Sequence, residues 1–347
     1  IWAYAQLGML LQWGIVGLLG IYGLKLIWPS LNDAFGVMFS TGFYGGHGTA
    51  AAIGSAFEGL GWDEARSLGM TTATVGIIFA IVGGLFMIKW AARHKQTAFI
   101  ADFKDLPDEL RSGLIPKEKR DSLGTATTSS ISIESITLYI CVIFFVALLG
   151  YLISQGVKVY YPKLELPVFS CAFIVGLLLK QILDKVNASE YICPQTTQRL
   201  SSFFTDLLVA FGVASIKLEV VVKYAVPLIV LIIVGTVIVW LITFYLGRHL
   251  SRNYWFERSI FAWGWWTGTM AMGIALIRIV DPKMASKAMD DYALAYLPIA
   301  PVEILLITFV PILFVGGYGA WLMLGCLFVS LLILLVAFKM GWWIKKK

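Results

Sequence analysis

The run Gly45-Gly46-His47-Gly48-Thr49, followed by three alanines, is the strongest chemical signal in the sequence. Glycines allow the backbone to approach a ligand closely, and the small residues after them start a helix whose leading N–H groups lack partners. Such a helix start suits a carboxylate, and the carbonyls freed around it suit Na+. Glycine-mediated helix packing is the competing explanation. A second run, Gly264-Trp265-Trp266-Thr267-Gly268-Thr269-Met270, follows the same logic with bulkier side chains. Its two tryptophans fit an interfacial belt equally well. At an offset of 220, Gly48 meets Gly268, Thr49 meets Thr269 and Ala51 meets Ala271.

Ionisable residues inside apolar stretches are costly and mark further candidates. Asp206, beside Thr205, falls in an apolar run and is a Na+ or proton candidate, the alternative being a helix-cap or interface position. Glu303 stands close to Pro298 and Pro301, which break a helix and free carbonyls, and is the second coupling candidate. Arg278 suits a clamp on a substrate carboxylate, or local pairing with Asp281 and snorkelling to the interface. His94 and His249 lie in basic flanks and face the cytoplasm. The cysteines Cys141, Cys171, Cys193 and Cys326 show no metal-binding spacing, and no HExxH, GxSxG, Walker or GxGxxG context supports an enzyme.

The elements that must position these residues are set by composition. Of 347 residues 59% are hydrophobic and 14% charged, which implies a chain dissolved in a lipid bilayer. The net charge of +6 clusters at span ends, as expected of topogenic charge and not of a nucleic-acid partner. Apolar runs predict spans at 3–24, 67–89, 135–154, 164–183, 201–218, 224–247, 290–314 and 319–340. Residues 36–57 and 260–279 are also apolar but broken by small residues, which predicts re-entrant hairpins or broken helices. The polar stretch 90–134 reads as a cytoplasmic linker between a first membrane repeat, 1–89, and a second, 135–347.

Fixing that linker inside places the basic loop at Arg248, Arg252 and Arg258 and the tail Lys345–Lys347 inside as well, provided the second hairpin does not cross. The two hairpins then dip in from opposite faces. The expected fold is an all-α polytopic membrane protein, an inverted-repeat secondary transporter with two oppositely oriented re-entrant hairpins. The repeats are unequal: residues 134–261 precede the second motif within its half and only 1–39 the first, a difference of about 90 residues or three spans. With the first residue not Met, this predicts a native polypeptide with a further N-terminal region.

At Gly45-Gly46-His47-Gly48-Thr49 the sequence closely resembles the bacterial glutamate:sodium symporter family, whose first re-entrant hairpin carries this motif. Glu165-Leu-Pro-Val-Phe-Ser-Cys-Ala-Phe-Ile-Val-Gly and Ala210-Phe-Gly-Val-Ala-Ser-Ile-Lys-Leu resemble further stretches of it, and the similarity runs from about Ala5 to Ile312. The resemblance implies Na+-driven uptake of L-glutamate across the cytoplasmic (inner) membrane by a multi-pass carrier, often a homodimer, that works by alternating access with no cofactor beyond the coupling ion. Carried over by position, the implied site is Gly45–Thr49 with Thr267–Met270. The second hairpin departs from the family pattern, having Gly-Trp-Trp-Thr-Gly-Thr-Met-Ala-Met where a Gly-rich stretch followed by Thr-Pro-Thr is expected. Two alternatives stand beside this: the same architecture carrying another organic anion or amino acid, or coupled to H+, and a non-transporting scaffold or sensor.

Overall fold

The computed structural model describes residues 1–99, 114–120, 122–129, 131–161 and 166–344, and every regular element among them is helical. The centre of the expected linker, the start of the Glu165-Leu-Pro stretch and the Lys345–Lys347 tail lie outside the described residues. The chain divides into two compact units, Ile1–Leu114 with Ser215–Lys347, and Ile115–Ala214. In chain order the larger helices are α1 (Trp2–Ile27), α2 (Val37–Phe43), α3 (Gly46–Gly59) and α4 (Ala65–Arg93) in the first unit. The second unit holds α5 (Ser135–Tyr160), α6 (Val168–Lys185) and α7 (Pro194–Ala214). The first unit resumes with α8 (Leu218–Lys223), α9 (Ala225–Leu250), α10 (Trp255–Thr267), α11 (Met270–Val280), α12 (Ala288–Val315) and α13 (Gly319–Lys339).

Among the described residues, α1, α4, α5, α9, α12 and α13 are long and apolar enough to cross a membrane, which makes this a polytopic all-α membrane protein. Two of the eight expected spans come out differently. α6 is 18 residues long and carries Lys180, Asp184 and Lys185 in its last two turns. α7 begins at Pro194 and not near 201, so its first turns are the polar Gln195-Thr-Thr-Gln-Arg199. Proline is favoured in the first helical turn, where its missing N–H is no loss, and that start lies before the apolar run. The second unit is tied at its polar end by Tyr139, whose hydroxyl accepts the Cys193 N–H at 2.7 Å.

In the first unit one succession of elements occurs twice. A span, a short helix, a break, a second short helix and another span start at Trp2, Val37, Gly46 and Ala65, and again at Ala225, Trp255, Met270 and Ala288. The spans recur 223 residues apart and the second arms 224, against the 220 read from the motifs. Both leading spans widen into a π-helical stretch, Leu19–Leu24 and Ile242–Leu246. Such stretches free backbone groups for other partners. One is used here: Tyr4 of α1 donates its hydroxyl to the Thr243 carbonyl at 2.7 Å.

The helix that gathers these elements is α4, and it does so with small residues. Gly69, Gly76 and Gly83 recur every seven positions and so share one helix face. A Cβ at Gly69 would meet Ala50 of α3 at 3.4 Å, at Gly76 the Thr267 carbonyl oxygen of α10 at 2.4 Å, and at Gly83 the Trp263 ring at 3.0 Å. α3 runs along α4, with Gly54 against Arg66 and Ala50 against Gly69. α2 crosses α4: Met38 accepts from the Thr72 hydroxyl at 2.7 Å, and Gly42, one turn on, also lies against Thr72.

Replacing Gly76 by Val forces a side chain onto a backbone oxygen, and overpacking of this kind costs about 1–3 kcal/mol. Gly76→Val is therefore expected to lower the melting temperature of the detergent-solubilised protein, while Gly325→Ala, which has nothing within 4 Å, leaves it unchanged. Before α4, Glu64 accepts from Lys223 Nζ at 2.8 Å and from the Tyr224 hydroxyl at 3.3 Å. The hydrogen bond from Lys223 holds the Glu64 carboxyl below the usual carboxylate range, against an opposing desolvation. A depressed acid stabilises the fold above its unfolded value near 4.3, and that stabilisation is lost as pH falls through the lower folded value. Lys223→Met should flatten the pH dependence of the melting temperature between about pH 5 and 3, a small effect for so exposed a pair.

Candidate functional site

The two helix breaks touch. A Cβ at Gly46 would lie 3.0 Å from the Thr269 methyl and 3.1 Å from the Gly268 carbonyl oxygen. Gly46 has φ +64°, a left-handed conformation that disfavours any other residue and turns the chain from the Tyr44-Gly45 break into α3. Gly45 before it has no side chain to cap α3, and its missing Cβ leaves room for the Thr49 side chain, whose hydroxyl would be 2.5 Å away. Thr269 is extended and stands at the cap of α11, yet its hydroxyl accepts no cap hydrogen bond. Two helix starts, each uncapped by a side chain, therefore present their leading N–H groups beside one contact. Gly48 and Met270 are exposed next to it, Thr269 is half-buried, and His47, Thr49, Thr267 and Gly268 are buried.

His47 is held from α4. Its Nε2 lies 3.1 Å from the Thr74 hydroxyl, which itself donates to the Met70 carbonyl at 2.9 Å. Thr74 has one proton and has spent it, so Nε2–H is the donor and Nδ1 is left as an acceptor in the neutral ring. Nδ1 is buried and has no partner. On the other side, Thr267 donates to the Trp263 carbonyl at 2.6 Å, which fixes the last turn of α10. The indole N–H of Trp263 reaches the Ala80 carbonyl of α4 at 3.3 Å.

Trp265 and Trp266 are inside the protein, 4% and 0% exposed, so the belt reading of these residues does not apply. Trp266 lies over Gly8 of α1, where a Cβ would be 2.1 Å from the ring, and against Tyr4 at 5.0 Å. Trp265 stands among Tyr44, Tyr292 and Tyr296, with ring centroids at 5.7, 5.9 and 5.6 Å. The Tyr296 hydroxyl donates to Glu303 Oε2 at 3.0 Å, seven residues along one face of α12 across Pro298 and Pro301. Glu303 thus belongs with the aromatic side chains that flank both breaks.

The other expected residues lie elsewhere. Arg278 is exposed, two turns beyond Met270 on α11. Asp281 is buried and accepts the Ala285 and Ser286 N–H groups at 2.8 and 2.7 Å, capping the turn after α11. Thr205 and Asp206 belong to the second unit and are exposed on α7, where the Thr205 hydroxyl bonds the Ser201 carbonyl at 2.8 Å. Among the described residues no group of three His, Cys, Asp or Glu side chains could hold a metal ion, and all four cysteines are free. A cation at the breaks would rest mainly on carbonyl and hydroxyl oxygens. Sequence reading missed Thr74, Tyr44 and Tyr296. A threonine amid the small and apolar residues of a span, and a tyrosine seven residues before an intramembrane glutamate, were the signals available.

A sequence profile for the family described as sodium/glutamate symporter matches residues 28–271, a range that holds both breaks but neither α1 nor Glu303. The chain is 27% identical over 214 residues to the sodium/glutamate symporters of Escherichia coli K12 and Shigella flexneri, covering 60% of this chain and 49% of each relative. It spans about half the length of these curated relatives. Such proteins are membrane transporters and not enzymes. On the profile match over most of its length, the chain belongs to the sodium/glutamate symporter family.

Proposed function

We propose that this protein takes up L-glutamate with Na+ as the coupling ion across the bacterial inner membrane. The observation that carries the proposal is the contact of two uncapped helix starts at Gly46 and Thr269, within the stretch that matches the family. Leading N–H groups and helix dipoles favour an anion, and in a low-dielectric setting an anion and a cation neutralise each other more strongly than in water. The substrate carboxylates would take the N–H groups of α3 and α11 and the side chains of Thr49 and Thr269, with His47 fastening the first turn of α3 to Thr74. Backbone carbonyls freed at the breaks would face Na+, with Thr205 and Asp206 the coupling candidates of the second unit.

In this reading α2–α3 and α10–α11 are re-entrant hairpins that approach from opposite faces, and the repeated succession of elements is an inverted repeat. None of the four arms is long enough to cross a bilayer, being 7, 14, 13 and 11 residues. Each hairpin serves as a gate, one opening as the other closes, in a carrier that works as a homodimer. Arg278, exposed beyond the second break, would steer anions toward the site and not clamp them.

The test is radiolabelled L-glutamate uptake into proteoliposomes holding the full-length protein, with and without an inward Na+ gradient. Saturable, Na+-dependent uptake is expected, and uptake indifferent to Na+ would overturn the coupling. Thr269→Ala should raise the half-saturating glutamate concentration roughly tenfold, the effect of one lost hydrogen bond to a charged group, and His47→Ala should raise it by releasing the first turn of α3 from Thr74. Asp206→Asn should leave that value near wild type and raise the Na+ requirement. Wild-type uptake in all three variants would remove the site assignment.

A further inference from the structure

We propose that Glu303, Tyr296, Tyr44 and the face of Trp265 form the subsite for the ammonium group of the transported amino acid. The inference rests on the transport reading above and gives it the half of the ligand that the helix starts cannot bind. N–H groups and helix dipoles recognise carboxylates and repel a cation, so a zwitterionic substrate needs a separate acceptor site for its amine.

The side chains meet that need. Glu303 gives one carboxylate oxygen to the Tyr296 hydroxyl at 3.0 Å, and among the described residues no basic side chain forms an ion pair with it. A carboxylate at membrane depth without a countercharge is costly, and the usual resolution is a bound cation or a water-lined cavity. Tyr44 is 3% exposed and its hydroxyl has no hydrogen-bond partner, an arrangement that costs about 1–3 kcal/mol unless a ligand completes it. This residue immediately precedes Gly45-Gly46 and the start of α3. Trp265, two residues before Thr267, joins Tyr44 and Tyr296 through ring contacts of 5.7 and 5.6 Å.

The chemistry selects ammonium over a bare metal ion. A hard cation requires a shell of oxygen ligands, whereas this cluster offers a free carboxylate oxygen and an unpartnered phenol among aromatic faces. An ammonium group matches it: one N–H to Glu303, one to the Tyr44 oxygen, and the charge over Trp265. None of the four groups on this list is a backbone feature of the breaks, and Tyr296 and Glu303 lie beyond the stretch that matches the family.

The test compares L-glutamate with glutarate, the same five-carbon dicarboxylate without the amine, on the purified full-length protein in Na+, by ligand-induced thermal shift and by competition. Glu303→Gln is expected to weaken L-glutamate at least tenfold while leaving glutarate within about twofold of its wild-type value, so the preference for the amine collapses. The Na+ concentration for half-maximal effect should not move. Tyr44→Phe should shift the same ratio in the same direction by a smaller factor, and Glu303→Asp should restore part of it. Equal weakening of both ligands would make the cluster a structural support and overturn the proposal. A changed Na+ requirement with the ligand ratio intact would overturn it in favour of a Na+ site. Should Glu303→Gln fail to give folded protein, the Tyr44→Phe ratio decides alone. A wild-type protein that responds to glutarate and L-glutamate equally also contradicts the subsite, whereas no response to either would instead remove the transport reading beneath it.

Discussion

Two helices begin against each other with no side chain to satisfy their leading N–H groups, and the rest of the first unit is arranged to permit this. Backbone donors freed away from water cost several kcal/mol each unless something completes them. The breaks at Tyr44-Gly45 and Gly268-Thr269 must therefore be buried in protein or completed by other groups. Close approach supplies the burial: Gly46 turns left-handed to reach Thr269, and α4 lays a stripe of glycines under α3 and α10 so that the Thr267 carbonyl passes at contact distance. A polar anchor joins them, the Thr74 hydroxyl that orients His47.

The same packing explains how a tryptophan-rich second hairpin is accommodated. Trp266 needs space that Gly8 of α1 supplies, and Tyr4 closes over it while tying α1 to the π-helical part of α9. Trp265 turns the other way and meets the tyrosines of α12. Bulk that looked foreign at a ligand-binding turn is thus a wall between α1 and α12, and the turn itself, Thr267-Gly268-Thr269, stays small.

Much of this was legible in the residues. The glycine run at 45–48 and the Gly-Thr pair at 268–269 fall at both breaks, while Gly69, Gly76 and Gly83 show the other use of small residues in apolar stretches, close helix packing. Glu303 announced itself as a charge inside a span. Long-range placement was not legible. Sequence periodicity gives Thr205 and Asp206 a place on an apolar helix but does not reveal that α7 starts at Pro194 and leaves both exposed in the second unit. Tyr44 and Thr74 gain meaning only from contacts across the fold.

The central claim is that the leading amides of α3 and α11 hold the substrate, and hydrogen–deuterium exchange reads those amides directly. With the full-length protein in lipid nanodiscs, L-glutamate and Na+ together should slow exchange in peptides covering Gly46–Thr49 and Met270–Met272, and Na+ alone should do less. Ligand-dependent protection confined to other segments, such as the α7 stretch around Asp206, with both helix starts unaffected, would contradict the account.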